Sequence, residues 1–300
     1  MREHLAGVSH LSFINANHQL AGHMAVGRAD VVHAHEAKAV HWAFLHWLWK
    51  RTPYVLTRRV DTPVRQKTAN RWCYRSAARR VAISRIIQRH LEGLGWGEVE
   101  LIPSAFSSQL HREEVARQFR DEFPGKFLVG HAGAVVDRHK GQRVLLEAAR
   151  LLEKRLPDIH FIFLGDGEDR EILERESADQ PNVTWLGFKE NIADYLAGLD
   201  VFAFPSRNEG LGSVLLDVMD LGIPIIAAEV GGIPDIVHHE KTGLLMTNGS
   251  AAALADGLVR LYEQPSLRQS LSNVAREQLE AYSAQAMAAS YWTLYSKTKQ

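Results

Sequence analysis

The sequence predicts an α/β protein built from two doubly wound domains, and three observations carry that expectation. Short β-branched or apolar runs alternate with longer helical patterns along the chain, as parallel strands joined by crossover helices require. Glycines punctuate the junctions, as at Gly165, Gly167 and Gly222, where a strand or a helix should stop. The 300 residues also exceed what one ordinary core holds.

Taken in order, the first part offers strands at Asp30–His35, Tyr54–Thr57, Arg80–Ser84 and Val99–Ile102, with helices at Phe13–Gly27 and Val40–Lys50. Asp121–Lys126 (DEFPGK) combines charge, Pro and Gly and reads as the linker. Beyond it, Phe127–Ala132 is a strand and Lys140–Leu156 a helix, with apolar residues at Val144, Leu145, Ala148, Leu151 and Leu152. His160–Leu164 follows as a strand, a helix starts at Asp169, and Val183–Leu186 is a strand again. Ile192–Ala197 is a short helix, Val201–Phe204 a strand, Gly212–Leu221 a helix and Ile223–Ala227 a strand. The stretch after Tyr282 is helical with a basic end. The expected domains are 1–125, 126–283 and a closing helix at 284–300. Folds of this kind bind ligands at the carboxyl ends of their strands, near helix N-termini.

Composition narrows the class. A chain 46% hydrophobic and 23% charged is globular rather than disordered, and no apolar run approaches the roughly 20 residues that span a bilayer. Cys73 is the one cysteine, and the start MREHLAGVSH lacks a secretory pattern, so a cytoplasmic location is expected. Between Lys50 and Arg89 stand twelve cations against Asp61 alone, a local charge of +11 in a chain of net charge zero. That imbalance implies an anionic partner. Lys67, Arg71, Arg75 and Arg79 recur every four residues, as if on one helix face, beside Trp72 and Tyr74. With Arg58 and Arg59 they suit an anionic membrane surface or acceptor phosphates, while a solvated basic face is the plainer alternative. Nucleic acid is not expected, because no binding motif accompanies the charge.

The densest constellation runs from Phe204 to Ser213 (FPSRNEGLGS) and on to Asp217. A strand ends, a polar loop turns, and a glycine-flanked helix begins. Gly210 and Gly212 let backbone N–H groups approach an anion, and the helix dipole favours negative charge there. Glu209 and Asp217 can face one cleft, where carboxylates accept hydrogen bonds from sugar hydroxyls. Capping of the helix by acidic residues explains the same pattern, and spacing alone leaves the two readings even.

The segment FPSRNEGLGSVLLDVMDLGIPIIAAEVGGIPDIV resembles the Glu-x7-Glu signature of family 4 retaining glycosyltransferases, with Asp217 in place of the second Glu. VGHAGAVVDRHKG, FIFLGDGEDREIL and VTWLGF continue the resemblance over most of residues 127–283. It implies a GT-B fold of two Rossmann-like domains and a nucleotide-sugar donor, a UDP-sugar foremost, with no further cofactor and no metal. It further implies that Glu209 contacts the donor sugar, Asp217 the ribose, and Gly210, Leu211 and Gly212 the sugar and diphosphate through their amides. Lys140 matches the diphosphate-binding lysine. Where relatives carry an arginine six residues earlier this chain has Ala134, and Arg138 is the stand-in. Gly165 and Gly167 would shape the loop beside the donor, and Gly187 and Phe188 would border the nucleobase.

VVHAHEAKAV resembles the family's strand-end histidine segment, which implies His35 beside the transferred sugar. His33, His35, His41 and His46 lack the Cys or acidic partners of a metal site. PYVLTRRVDTP, VAISRII and LIPSAFS match the strands that follow and resemble the branch that builds lipopolysaccharide cores, which implies a glycolipid or oligosaccharide acceptor and a peripheral place on the inner face of the membrane. His35 stands only 34 residues from the start, earlier than in the family, so the resemblance implies that 1–125 is an incomplete acceptor-side domain and that the helix at 284–300 packs back on it. Two rival readings stay open: a non-catalytic sugar-nucleotide or partner-binding module, and a GT-B isomerase.

Overall fold

The computed structural model describes residues 19–26, 29–107 and 110–298. They form two parallel sheets flanked by helices. The first part runs α1 (Gln19–Ala25), β1 (Val32–Ala34), α2 (Ala37–Lys50), β2 (Tyr54–Arg58), α3 (Thr68–Arg75), β3 (Arg79–Ala82), α4 (Arg85–Glu92) and β4 (Val99–Leu101). Its strands lie in the order β1-β2-β3-β4, all parallel. Next come α5 (Glu113–Asp121), β5 (Phe127–Ala132), α6 (Asp137–Lys140), α7 (Gln142–Leu152), β6 (Ile159–Leu164), α8 (Arg170–Glu176), β7 (Val183–Gly187) and α9 (Ile192–Leu196). β8 (Val201–Phe204), α10 (Val214–Asp220), β9 (Ile225–Ala228), α11 (Ile233–Ile236) and β10 (Leu244–Met246) complete the second sheet. α12 (Ala251–Glu263), α13 (Pro265–Glu277), a 3-10 turn at Gln278–Tyr282 and α14 (Ala284–Thr298) follow.

The second sheet has the order β10-β9-β8-β5-β6-β7. Winding outward from β5 in both directions puts a topological switch between β5 and β8, the place where folds of this kind bind ligands beside the loops leaving those strands. Strands β5, β6, β8 and β9 are buried along their whole length, which is why they read as continuous apolar runs.

One hydrophobic cluster joins the two sheets, with Tyr54, Ala82 and Ile87 from the first and Phe202, Leu216 and Ile233 from the second. A second cluster fills the far side of the second sheet beneath α7 and α12. A third is small: Val55, Val81 and Ile102 of the first sheet meet Leu294, with Met287, Tyr291 and Tyr295 beside it, so α14 covers that sheet's other face.

Three local expectations change. The helix expected at Lys140–Leu156 is broken at Gly141, whose φ of 69° is left-handed. A Cβ there would lie 2.3 Å from the Pro205 carbonyl oxygen, so only glycine admits the β8 loop. The stripe Lys67–Arg71–Arg75–Arg79 is not one helix face: Lys67 is the N-cap of α3, and Arg79 begins β3 and pairs with Glu100 at 4.0 Å. The fourfold spacing spans a helix end, because Ala77 and Ala78 already lead into the strand.

The linker expected at Asp121–Lys126 instead joins α5 to β5 within one packed unit. Arg112 donates to Asp194 of α9, Arg120 to Asp200 at 2.5 Å, and Phe119 packs edge-on to Tyr195. The chain therefore passes between the sheets in the stretch after β4, upstream of α5. Of the helix expected at Phe13–Gly27, α1 spans Gln19–Ala25, and residues 13–18 and Gly27 lie outside the described residues.

Candidate functional site

The loops leaving β5 and β8 bring Lys140 and Glu209 together at the switch point. Their side chains, 69 residues apart in sequence, form an ion pair in which the lysine donates to the carboxylate. Both are largely enclosed, at 24% and 12% exposure, and the ammonium also lies 5.5 Å over the Phe204 ring. A half-buried charge needs such partners, because its lost hydration must be replaced.

Glycines let the loops close on one another. Gly231 and Gly232 fold tightly over Glu209: a Cβ on Gly231 would lie 2.0 Å from its carbonyl oxygen, and the Gly232 N–H donates to that oxygen at 3.0 Å. Gly165 and Gly167 sit against the backbone of Gly133 and Val135, where a Cβ would come within 1.9 and 2.4 Å. The β5 and β6 loops thus stack without side chains between them. Gly187 accepts from the Gly165 N–H at 2.9 Å, and the neighbouring Phe188 ring stands 71% exposed at the same end of the sheet.

The first sheet closes the other side. Gly210 abuts the Arg59 carbonyl, where a Cβ would lie 2.3 Å from the oxygen. Leu211 is buried, and Gly212, with φ of 81°, turns the chain toward α10. Asp217, in the first turn of α10, accepts from both the N–H and the Oγ of Ser107 at 2.8 Å. Asp235 accepts from the Arg85 N–H at 2.6 Å, capping α4 from the opposite sheet where its dipole favours a carboxylate. Asp235 thus ties the second sheet's side to α4 of the first, and Asp217 ties α10 to the crossing stretch after β4. Ser84 is fully buried beside Gly232, and its Oγ has no partner among the described residues.

His35 is exposed, with its ring 4.0 Å from that of His33. Desolvation first, and the positive charge of Arg59 second, lower its basicity. Arg59 is the link to the β8 loop, since its carbonyl meets Gly210 while its guanidinium donates to Ser104 at 3.1 Å. His33 is held between the Tyr295 hydroxyl (2.6 Å) and Thr57 Oγ1 (2.8 Å). Burial, with His35 adding to it, pushes the His33 pKa down to about 3, so this ring is neutral at physiological pH.

Other expected residues lie apart. Arg138 is 70% exposed and pairs with Glu168 at 3.0 Å, turned toward the β6 loop rather than joined to the Lys140–Glu209 pair. Arg58 donates to the carbonyls of Val60 and Thr62, while Arg71 and Arg75 are exposed on α3. Among the described residues no group of three or more His, Cys, Asp or Glu could hold a metal ion, and no helix is long and apolar enough to cross a membrane. Sequence reasoning passed over Ser107, Asp235, Gly231 and Gly232. The run Val230-Gly231-Gly232-Ile233-Pro234 was a visible turn signal, whereas nothing local marks Ser107.

Residues 126–264 match the family model described as glycosyl transferases group 1. The sulfoquinovosyl transferase SQD2 of Arabidopsis thaliana is 32% identical over 59% of this chain and 35% of its own length. The D-inositol 3-phosphate glycosyltransferase of Pseudarthrobacter chlorophenolicus is 27% identical over 91% of this chain and 72% of its own length. The chain thus spans about a third of the first of these relatives. The crystal structure of Anabaena Alr3699/HepE in complex with UDP superimposes with a TM-score of 0.83 at 20% identity, over 93% of this chain and 82% of that one. The fold is GT-B, and residues 126–264 are similar to the group 1 glycosyl transferases.

Proposed function

We propose that the chain transfers a sugar from a nucleotide-sugar donor to a glycan or glycolipid acceptor with retention of anomeric configuration. The observation that carries this is the enclosed Lys140–Glu209 pair at the switch point, opposite the first sheet. Without a donor the two neutralise each other. A bound diphosphate would engage Lys140, and the lysine would stabilise the charge that grows on the leaving group, with help from the N–H groups of residues 210–212. Glu209, released toward the sugar hydroxyls, would orient the hexose. Asp217 would accept from the ribose beside Ser107. Gly187 and Phe188 would flank the base, and His35 would line the sugar's other side from the first sheet.

A UDP-sugar is the preferred donor, a reading supported by the UDP in the Anabaena neighbour. Placement in the lipopolysaccharide-core branch rests on the segments PYVLTRRVDTP, VAISRII and LIPSAFS. The acceptor hydroxyl would attack from the leaving-group face, and proton NMR of the product's anomeric signal reads the stereochemistry directly.

The test is calorimetric titration of UDP, GDP and ADP into the wild type and Lys140→Ala. Loss of one charge-assisted phosphate contact should weaken binding by about 1.5–3 kcal/mol, roughly 10- to 150-fold. Absence of binding by all three nucleotides to folded wild type would refute the donor site.

A further inference from the structure

Two buried polar side chains, His131 of β5 and Gln142 at the start of α7, flank the loop that carries Lys140. The pairing of β5 with β8 ends at Gly130–Phe202. One position on, the His131 ring bridges the two strands, with its Nδ1 lying 3.0 Å from the Ala203 carbonyl oxygen. A carbonyl only accepts, so Nδ1 carries the proton. Burial keeps the ring neutral, which leaves the Nε2 lone pair as an acceptor. It faces the Gln142 amide nitrogen at 3.4 Å, and that nitrogen also donates to the Ala134 carbonyl at 3.0 Å. The Ala134 carbonyl accepts in addition from the Val136 N–H at 2.9 Å, and the Val136 carbonyl accepts from the Lys140 N–H at 2.9 Å. One hydrogen-bonded chain thus runs from β8 through β5 to the backbone of Lys140.

Packing alone would not select this glutamine. Gln142 is fully buried, and its Oε1 has no partner among the described residues. Turning the amide over would not help, because the oxygen would then face the Ala134 carbonyl. A half-satisfied amide in the interior is costly, and a methionine of about the same length would remove that cost. Where a sequence breaks such a local rule, the compensating gain is usually sought at a functional site. We propose that Gln142 and His131 are positioning residues for Lys140, holding the β5 loop so that the ammonium stays aimed at Glu209 and at the diphosphate of a donor. The role rests on the donor reading of Lys140. Both side chains act through the loop backbone: the amide pins the Ala134 carbonyl, and the ring fixes the amide against β8.

Gln142→Met in the full chain tests it. Loss of the unpaired oxygen offsets the lost hydrogen bonds, so the melting temperature should stay close to that of wild type. Hydrogen exchange of the amides in 133–141 should quicken about ten-fold, while those of β6 exchange as before. UDP affinity measured by calorimetry should fall about ten-fold. In a Lys140→Ala background the same substitution should cost nothing further, since the loop then has no lysine to position. His131→Phe keeps an aromatic ring among Phe163, Phe202 and Phe204 and should loosen the same loop. Loop exchange as in wild type overturns the proposal, and so does an equal further loss of UDP affinity in the Lys140→Ala background. A lowered melting temperature for Gln142→Met, with faster exchange throughout the chain, overturns it in favour of a purely structural pair. If wild type binds no nucleotide, the donor reading falls, and loop exchange alone decides whether the pair holds the loop.

Discussion

The cleft between the sheets and the outer surface of the first sheet hold charged residues in opposite ways. Inside, nearly every charge has a partner supplied by a distant part of the chain: Lys140 by Glu209, Asp217 by Ser107, Asp235 by the Arg85 N–H. Outside, on α2 and α3, cations stand without acidic partners and beside exposed tryptophans. The difference teaches where the protein itself must balance its charges. A charge withdrawn from water is costly unless paired, so the cleft pairs the charges it encloses. Solvated cations carry no such penalty, and their imbalance is left for an external anion.

Acid should break the inner arrangement before the outer one. His131 is buried between Ala203, whose carbonyl lies 3.0 Å from Nδ1, and Gln142; burial pushes its pKa down to about 4. Its folded pKa lies below the unfolded value, so the unfolded state binds more protons between roughly pH 6.5 and pH 4, and stability falls as pH falls through that window. The loss from this one ring amounts to about 3 kcal/mol once both pKa values are passed. His33 titrates with the same sign, toward about pH 3. Urea unfolding at a series of pH values should show a slope that His131→Gln flattens; parallel slopes for the two proteins would remove His131 as the cause.

A smaller but more local break is Gly210→Val. Its Cβ would meet the Arg59 backbone oxygen, which cannot swing aside as a side chain would, so the sheets must part. Overpacking of this kind costs about 1–3 kcal/mol. We expect a lower melting temperature together with weaker nucleotide binding, and a variant with wild-type values in both would show that the first sheet does not press on the β8 loop in solution.

The smallest effect sharpens the comparison. Asp235→Ala removes the cap that the second sheet places on α4 and should cost about 1 kcal/mol. Asp235→Asn keeps a capping oxygen and should recover part of that stability. If the two variants melt together above wild type, the cap is not stabilising.

Much of the second sheet was legible because its central strands are buried on both faces, and continuous apolar runs such as Phe161-Ile162-Phe163-Leu164 follow from that burial. Gly210 and Gly212 could be read as a helix-start turn from chain chemistry alone, and resemblance singled out Lys140 and Glu209. Two periodic patterns misled. The apolar spacing after Lys140 continued through Gly141, where contact with Pro205 rather than propensity ends the first turn. The fourfold basic spacing ran from α3 into β3, since periodicity has no knowledge of where a sheet captures the chain.

The sequence by itself determined the α/β alternation, the glycine turns at the strand ends and the basic excess between Lys50 and Arg89, because each is written in neighbouring residues. Tertiary structure decided which distant groups meet. Ser107 reaches Asp217 across 110 positions and Arg85 reaches Asp235 across 150, and the packing of α5 on α9 moved the crossing point between the sheets. No local propensity encodes such pairs. They form because closing the cleft removes charges and amides from water, and each then has to find a partner wherever the fold has brought one within reach.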